Sequence, residues 1–183
     1  RAGFSTNAIT ILDDDLPPTV SFETAAASAL ESAGTRTINV RLAAASGRTV
    51  TVGWSITGGT ATAGSDFTGA TAGTLTFNPG QTLANITLPV VNDTVEEADE
   101  TVVFSLSTPS NATLAAPTTH AHTIQNDDVS VFWARTSVTN SEADGFATFE
   151  VRLSRPLSIA LQVQLTTISH TAIVWTVAIG GMY

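Results

Sequence analysis

The chain of 183 residues contains no cysteine. Disulfide frameworks and thiolate metal sites are therefore excluded. Basic residues are few: Lys and Arg total 7 against 16 Asp and Glu, for a net charge of −9. So acidic a chain lacks the basic patch that phosphate-backbone recognition requires, and no nucleic-acid partner is expected. Long apolar runs are also missing. The most apolar stretch, "TAIVWTVAIGGMY" at the C-terminus, is shorter than the ~20 residues that cross a bilayer. No segment reads as an amphipathic helix. The opening "RAGFSTNAITI" has no charged region followed by an apolar core, as a secretion signal would. The chain is expected to be a piece of a longer one.

What is present is alternation. In "TINVRL", Ile38, Val40 and Leu42 share one parity. "TVTVGWSI" places Val50, Val52, Trp54 and Ile56 together, "ANITLPV" Ile86, Leu88 and Val90, and "TVVFSL" Val102, Phe104 and Leu106. A period of two with Val and Thr enrichment predicts half-buried strands. Gly, Pro and Asn punctuate them in "TGGTATAGSDF", "NPGQT" and "TPSNAT". About seven short strands with turns between them predict an all-β, two-sheet sandwich. Trp54 is expected in its core.

The chain also repeats itself. "ALESAGTRTINVRLAAAS" aligns with "NSEADGFATFEVRLSRPLS", pairing Glu31 with Glu142, Gly34 with Gly145 and Leu42 with Leu153. The offset is constant (142 − 31, 145 − 34 and 153 − 42 all give 111). "ITILDDD" likewise matches "HTIQNDD". So long a period means whole domains in tandem. Residues 1–15 are read as the last strand of a preceding repeat, 16–128 as one complete repeat and 129–183 as a partial or truncated third. The third loses its likeness to the second after about Leu165. Trp133 aligns with Phe22 and is expected to pack as Phe22 does.

Acidic residues are unevenly placed. Between Glu31 and Asp93 the only one is Asp66. Then "VVNDTVEEADET" gathers Asp93, Glu96, Glu97, Asp99 and Glu100, and Asp127 and Asp128 follow a strand-like run. Carboxylates crowded together repel one another unless something compensates, and a divalent cation does so directly. Ca²⁺ takes six to eight oxygen ligands, and no single EF-hand-type loop is present to supply them. Loops converging at one end of a sandwich are the remaining route. A solvated acidic turn that adds only solubility is the competing reading of this stretch taken alone. His120 and His122 share a parity with Ile124 and could hold a transition metal. With no third ligand near in sequence, they are read as strand residues pointing to one sheet face. No nucleophile context surrounds the three histidines, so no catalytic residue is assigned.

"GTATAGSDF", "GTLTFNPGQT", "PVVNDTVEEADETVVFSLSTPSNATL" and "TIQNDD", in that order, resemble a Calx-beta domain. This is the calcium-binding module of sodium–calcium exchangers and of many surface and matrix proteins. The resemblance covers residues 16–128. It implies an immunoglobulin-like sandwich of seven strands with Ca²⁺ bound by loops at one end. Carried over position by position, it implies side-chain ligands at Glu31, Asp66, Asn92, Asp93, Glu97, Glu100, Asp127 and Asp128, and a backbone-carbonyl ligand at Val95. Glu96 and Asp99 fall between ligand positions and are expected to be solvated. Asn92, Thr94 and Asn126 stand where strong binders carry Asp, so fewer or weaker sites are expected. The implied role is a non-enzymatic, calcium-binding structural or adhesive repeat of an extracellular or cell-surface protein. The ion would stiffen the loop end and the domain junction. Its partners would be Ca²⁺, neighbouring repeats and a surface or matrix protein. A regulatory calcium sensor of a membrane protein and an accessory domain of a secreted enzyme are the alternatives.

Overall fold

The computed structural model describes residue 9 and residues 16–145, 148–156 and 161–164. The strand expected in residues 1–15 and the tail after 165 lie outside these, as does the side chain of Glu142. Contacts divide the chain into two units, one of residues 1–92 and 99–126, the other of residues 93–98 and 127–183.

The first unit is a two-sheet sandwich, and nine strands build it rather than about seven. They are β1 (Thr19–Phe22), β2 (Ala26–Leu30), β3 (Arg36–Leu42), β4 (Val50–Gly59), β5 (Ala72–Phe77), β6 (Leu83–Leu88), β7 (Glu100–Ser110), β8 (Thr113–Leu114) and β9 (Thr119–Gln125). One sheet runs β6-β3-β1-β8 and the other β2-β9-β7-β4-β5. Most pairs are antiparallel, but β1 pairs with β8 and β2 with β9 in parallel. The two extra strands are short or small-residue segments: β2 is "AASAL" and β8 is "TL". Neither carries an alternating apolar pattern.

The predicted parities hold. Ile38, Val40 and Leu42 of β3, Val50, Val52 and Trp54 of β4, Ile86 and Leu88 of β6, and Val102, Phe104 and Leu106 of β7 are all buried. Ile56 and Val90 are partly buried and pack against the same core. Phe22, Phe77 and Phe104 are the largest fully buried side chains. Burying each one contributes about 1.5–3 kcal/mol by transfer alone. Trp54 and Phe104 pack with ring centroids 6.0 Å apart. The indole lies over its register partner Gly73, where an added Cβ would come within 2.9 Å of the indole nitrogen.

In the second unit, β10 (Val131–Trp133) pairs antiparallel with β11 (Val151–Leu153). Ser130 and Ser154 extend the ladder, the Ser154 N–H donating to the Ser130 carbonyl at 3.0 Å. The expectation that Trp133 packs as Phe22 does is not met. Phe22 is 1% exposed and Trp133 51% exposed. Trp133 meets Phe149 edge-on at 6.2 Å. A two-strand ladder has no facing sheet among the described residues, and so does not enclose a large ring.

Candidate functional site

The loops that carry the acidic residues are fixed by the sandwich beneath them. β4 ends at Gly59 with φ +119°, where a Cβ would lie 2.0 Å from the Thr101 carbonyl oxygen. Only glycine permits that approach. The chain then docks on β7, the Thr60 and Ala61 N–H groups both donating to the Thr101 carbonyl, at 2.9 and 3.0 Å. This leads into the turn that carries Asp66. The Asp66 carboxylate accepts from the Thr62 N–H, and its own N–H donates to the Thr62 carbonyl at 3.0 Å. Its carbonyl accepts from the Val91 N–H at 2.9 Å. Phe67, 4% exposed, anchors the turn in the core. Asp66 thus belongs to a turn pinned on both sides.

Glu31 opens a single 3-10 turn, Glu31–Ala33, directly after β2. It is 6% exposed, the only buried carboxylate among the described residues. A carboxylate taken out of water needs a compensating charge or donors. Asp93 closes a local turn, its carboxylate accepting from the Val95 N–H at 2.7 Å. Val95 itself is 55% exposed. Glu100 is the first residue of β7, and Asp127 and Asp128 follow β9.

Within each unit two of these acids meet. In the first, Asp66 and Glu100 each offer a carboxylate oxygen within 4.8 Å of the other, and in the second Asp93 and Asp128 do the same. Four of the nine positions singled out in the sequence are thereby drawn into pairs. Asp127 falls in neither pair, and Asn92 is exposed. Asp66, Glu100 and Asp128 are half-buried and Asp93 is exposed. All donors are carboxylate oxygens, a set suited to a hard cation and not to zinc or copper.

Glu96 and Asp99 are exposed, as expected, and each also has a partner. The Asp99 carboxylate accepts from the Asn126 N–H at 3.2 Å. Glu96 remains exposed, but hydrogen bonds first from the Ser130 hydroxyl and then from Ser154 hold its carboxyl below the usual range. The Ser130 N–H and the charge of Arg155 add to this. Serines distant in sequence supply the Glu96 donors, which its position between ligands does not reveal.

His120 and His122 point to one face of β9 as expected, and that face is the buried one, each being 3% exposed. Burial, then the nearby His120 and Arg36, pushes the His122 imidazole below its ordinary pKa.

A family model described as Calx-beta domain matches residues 13–129 and again 125–174. Among solved structures, the chain is similar to an apo-form Calx CBD1 domain, with a TM-score of 0.57 and 30% identity over 61% of this chain and 98% of that one. It is also similar to the calcium binding domain CBD12 of CALX1.1, with a TM-score of 0.56 and 31% identity over 60% of this chain. CBD12 from CALX1.2 gives a TM-score of 0.57 and 28% identity over 67%. The chain spans 44% and 52% of those two CBD12 chains. No curated protein matches it.

Proposed function

The chain belongs to the Calx-beta domain family, and from that premise we propose that it is a calcium-binding repeat module whose ions tie together the loops of one sandwich. The observation that carries this reading is the pairing of carboxylates within each unit, Asp66 with Glu100 and Asp93 with Asp128, each within 4.8 Å. Glu31, Asp66, Asn92, Asp93, Glu97, Glu100, Asp127 and Asp128 would supply side-chain ligands, and Val95 its carbonyl. Carboxylates this close repel one another without a cation, so the apo loops are held against their own charge. Binding converts that repulsion into attraction, and its free energy becomes ordering energy of the loops.

Within a longer chain, such a module serves as a structural or adhesive spacer at a cell surface or outside the cell. The two family matches in one chain support a tandem arrangement. A regulatory sensor is the second reading, favoured by the similarity to the CALX calcium binding domains. Both readings are non-catalytic and share the ion.

Thermal unfolding of the chain in EDTA, then across a Ca²⁺ titration with Mg²⁺ as control, tests the site. The midpoint should rise with Ca²⁺, the stabilisation reaching about 2.7 kcal/mol at a hundredfold excess over Kd. Asp93→Ala should abolish most of the rise while leaving the EDTA midpoint unchanged or higher, because it also removes a repelling charge. A midpoint indifferent to millimolar Ca²⁺ would sink the proposal.

A further inference from the structure

A second polar site lies in the first unit, and none of its lining residues is a candidate calcium ligand. A cavity of about 230 Å³ is lined by Glu23, Thr24, Ser28, Arg36, His120 and His122, among others. His120 and His122 come from β9, Arg36 from β3 and Ser28 from β2. The two imidazoles stack with centroids 6.1 Å apart. Both histidines are 3% exposed. Yet His122 Nδ1 and Nε2, His120 Nε2 and Arg36 Nε have no hydrogen-bond partner. Four buried nitrogens left unpartnered around one cavity are costly, because each forfeits its solvation.

The charges there have one sign. Glu23 is the only acid on the cavity wall, and it is already engaged. Its carboxylate accepts from Asn39 and from Arg41, whose guanidinium lies 2.6 Å away. These bonds hold its carboxyl below the usual range. No carboxylate pairs with Arg36 among the described residues. The Arg36 Nε–H is a donor that cannot be lost. The His120 Nδ1 lies 2.8 Å from the Thr24 carbonyl, which only accepts, so Nδ1 carries the proton and the ring is fixed in orientation. His122 offers one N–H when neutral and two when charged.

We propose that this cavity binds a small anion with at least two acceptor oxygens, held by Arg36 Nε–H and the His122 ring N–H, with the Ser28 hydroxyl at its rim. Its volume admits a phosphate or a small carboxylate together with several waters. A transition metal is the competing occupant, because two histidines face the cavity. Arg36 opposes it, since a second cation beside an unpaired guanidinium raises the charge that burial already penalises. Anion binding favours the charged form of His122, so affinity rises on acidification through the range where imidazoles titrate. The groups that set this are Arg36, His120 and the already paired Glu23. The site is independent of Ca²⁺.

The test follows the imidazole ring nitrogens by ¹H–¹⁵N spectroscopy in the full chain, in EDTA and at constant ionic strength. The chain has three histidines, and His170 serves as the internal control. Inorganic phosphate, or acetate in a parallel arm, should shift the ring signals of His120 and His122 saturably and leave His170 unmoved. The arm with the lower midpoint identifies tetrahedral or planar anion chemistry. Arg36→Gln should raise the midpoint about tenfold or more. Arg36→Lys, which keeps the charge and loses the planar donor, should fall between, and serves if the glutamine variant folds poorly. Equal, unsaturating shifts at all three histidines would overturn the proposal. So would saturation by stoichiometric Zn²⁺ with no response to either anion.

Discussion

Asp66 and Glu100 meet from a turn and from the start of β7, whereas His120 and His122 come from a single strand, β9. The first region gathers negative charge at loops that stay partly exposed. The second gathers buried nitrogens beside a cleft with exposed walls. Each is incomplete by itself, and in opposite senses: carboxylates near one another call for a cation, and unpartnered donors beside Arg36 call for an anion. The fold tolerates both because the loops lie outside the core while the cavity interrupts it at one edge. Loop electrostatics can therefore change without disturbing packing, but a change at the histidines is felt by the rings they touch. Phe22 lies 5.6 Å and Phe104 6.4 Å from the His120 ring.

Phe104 is the residue whose loss should erase the distinction. Its ring contacts both Trp54 and His120, and it is 1% exposed. Phe104→Ala should cost about 3–5 kcal/mol in chemical denaturation. Calcium response and histidine environment should be weakened together, since both rest on β7. A loss under about 1 kcal/mol would mean that the two sheets are not joined through this ring.

Gly59→Ala should separate the regions. A side chain here meets the Thr101 backbone at 2.0 Å and must adopt φ +119°. The strain is about 1–3 kcal/mol. To relieve it, the start of β7 must move away from the Asp66 turn, and Glu100 sits at that start. The Ca²⁺ midpoint in a thermal titration should therefore rise while the ring-nitrogen signals of His120 and His122 stay in place. If both respond equally, the acidic end and the cavity are mechanically one.

How far each region could be read from the sequence follows from how its residues are spread. β3, β4, β6 and β7 announce themselves because each has three or more apolar residues at strict alternation. β2 and β8 do not, because "AASAL" and "TL" have too little contrast between their faces. Asp93, Glu97 and Glu100 lie within eight residues of one another, so their crowding is visible in one dimension. Glu31 and Asp128 joined them only through the family resemblance. The cavity draws on three separate stretches, around Glu23 to Ser28, Arg36 to Asn39 and His120 to His122, so no single window shows it. Burial hid it further: an i, i+2 histidine pair looks the same whether its face meets solvent or a second sheet. The partners of Glu96 were hidden for the same reason, since Ser130 and Ser154 follow it by more than thirty residues.

Acidification should act on the histidine region first. His122 is depressed below its ordinary value by burial and by the neighbouring His120 and Arg36. In the unfolded chain it titrates near the usual ~6.5. Above that pH both states are neutral and it has no effect. As pH falls through ~6.5 the unfolded state takes up the proton first, and stability declines until the lower folded pKa is reached. The slope from this single group is at most about 1.4 kcal/mol per pH unit. Denaturant melts between pH 7.5 and 5.5 should show the decline, and His122→Gln should flatten it. A slope unchanged by that substitution would assign the acid sensitivity elsewhere. Phosphate should also reduce the slope if the cavity binds it, since the anion favours the charged ring.

The smallest effect should come from Asp99, and it tests whether acidity alone defines the calcium end. Asp99 sits among the other acids in sequence, yet its carboxylate accepts from the Asn126 N–H at 3.2 Å and belongs to neither carboxylate pair. That bond joins the start of β7 to the end of β9. Asp99→Ala should cost about 0.5–1.5 kcal/mol, the net worth of one hydrogen bond, in EDTA and in Ca²⁺ alike. Asp93→Ala should behave in the opposite way, nearly silent in EDTA and damaging in Ca²⁺. Both substitutions remove one negative charge from the same short loop. If they gave the same calcium dependence, the loop would be acting as a diffuse acidic patch that concentrates cations without coordinating them. A clean difference between them requires ligands at defined positions, with Asp99 holding the strands on which those positions depend.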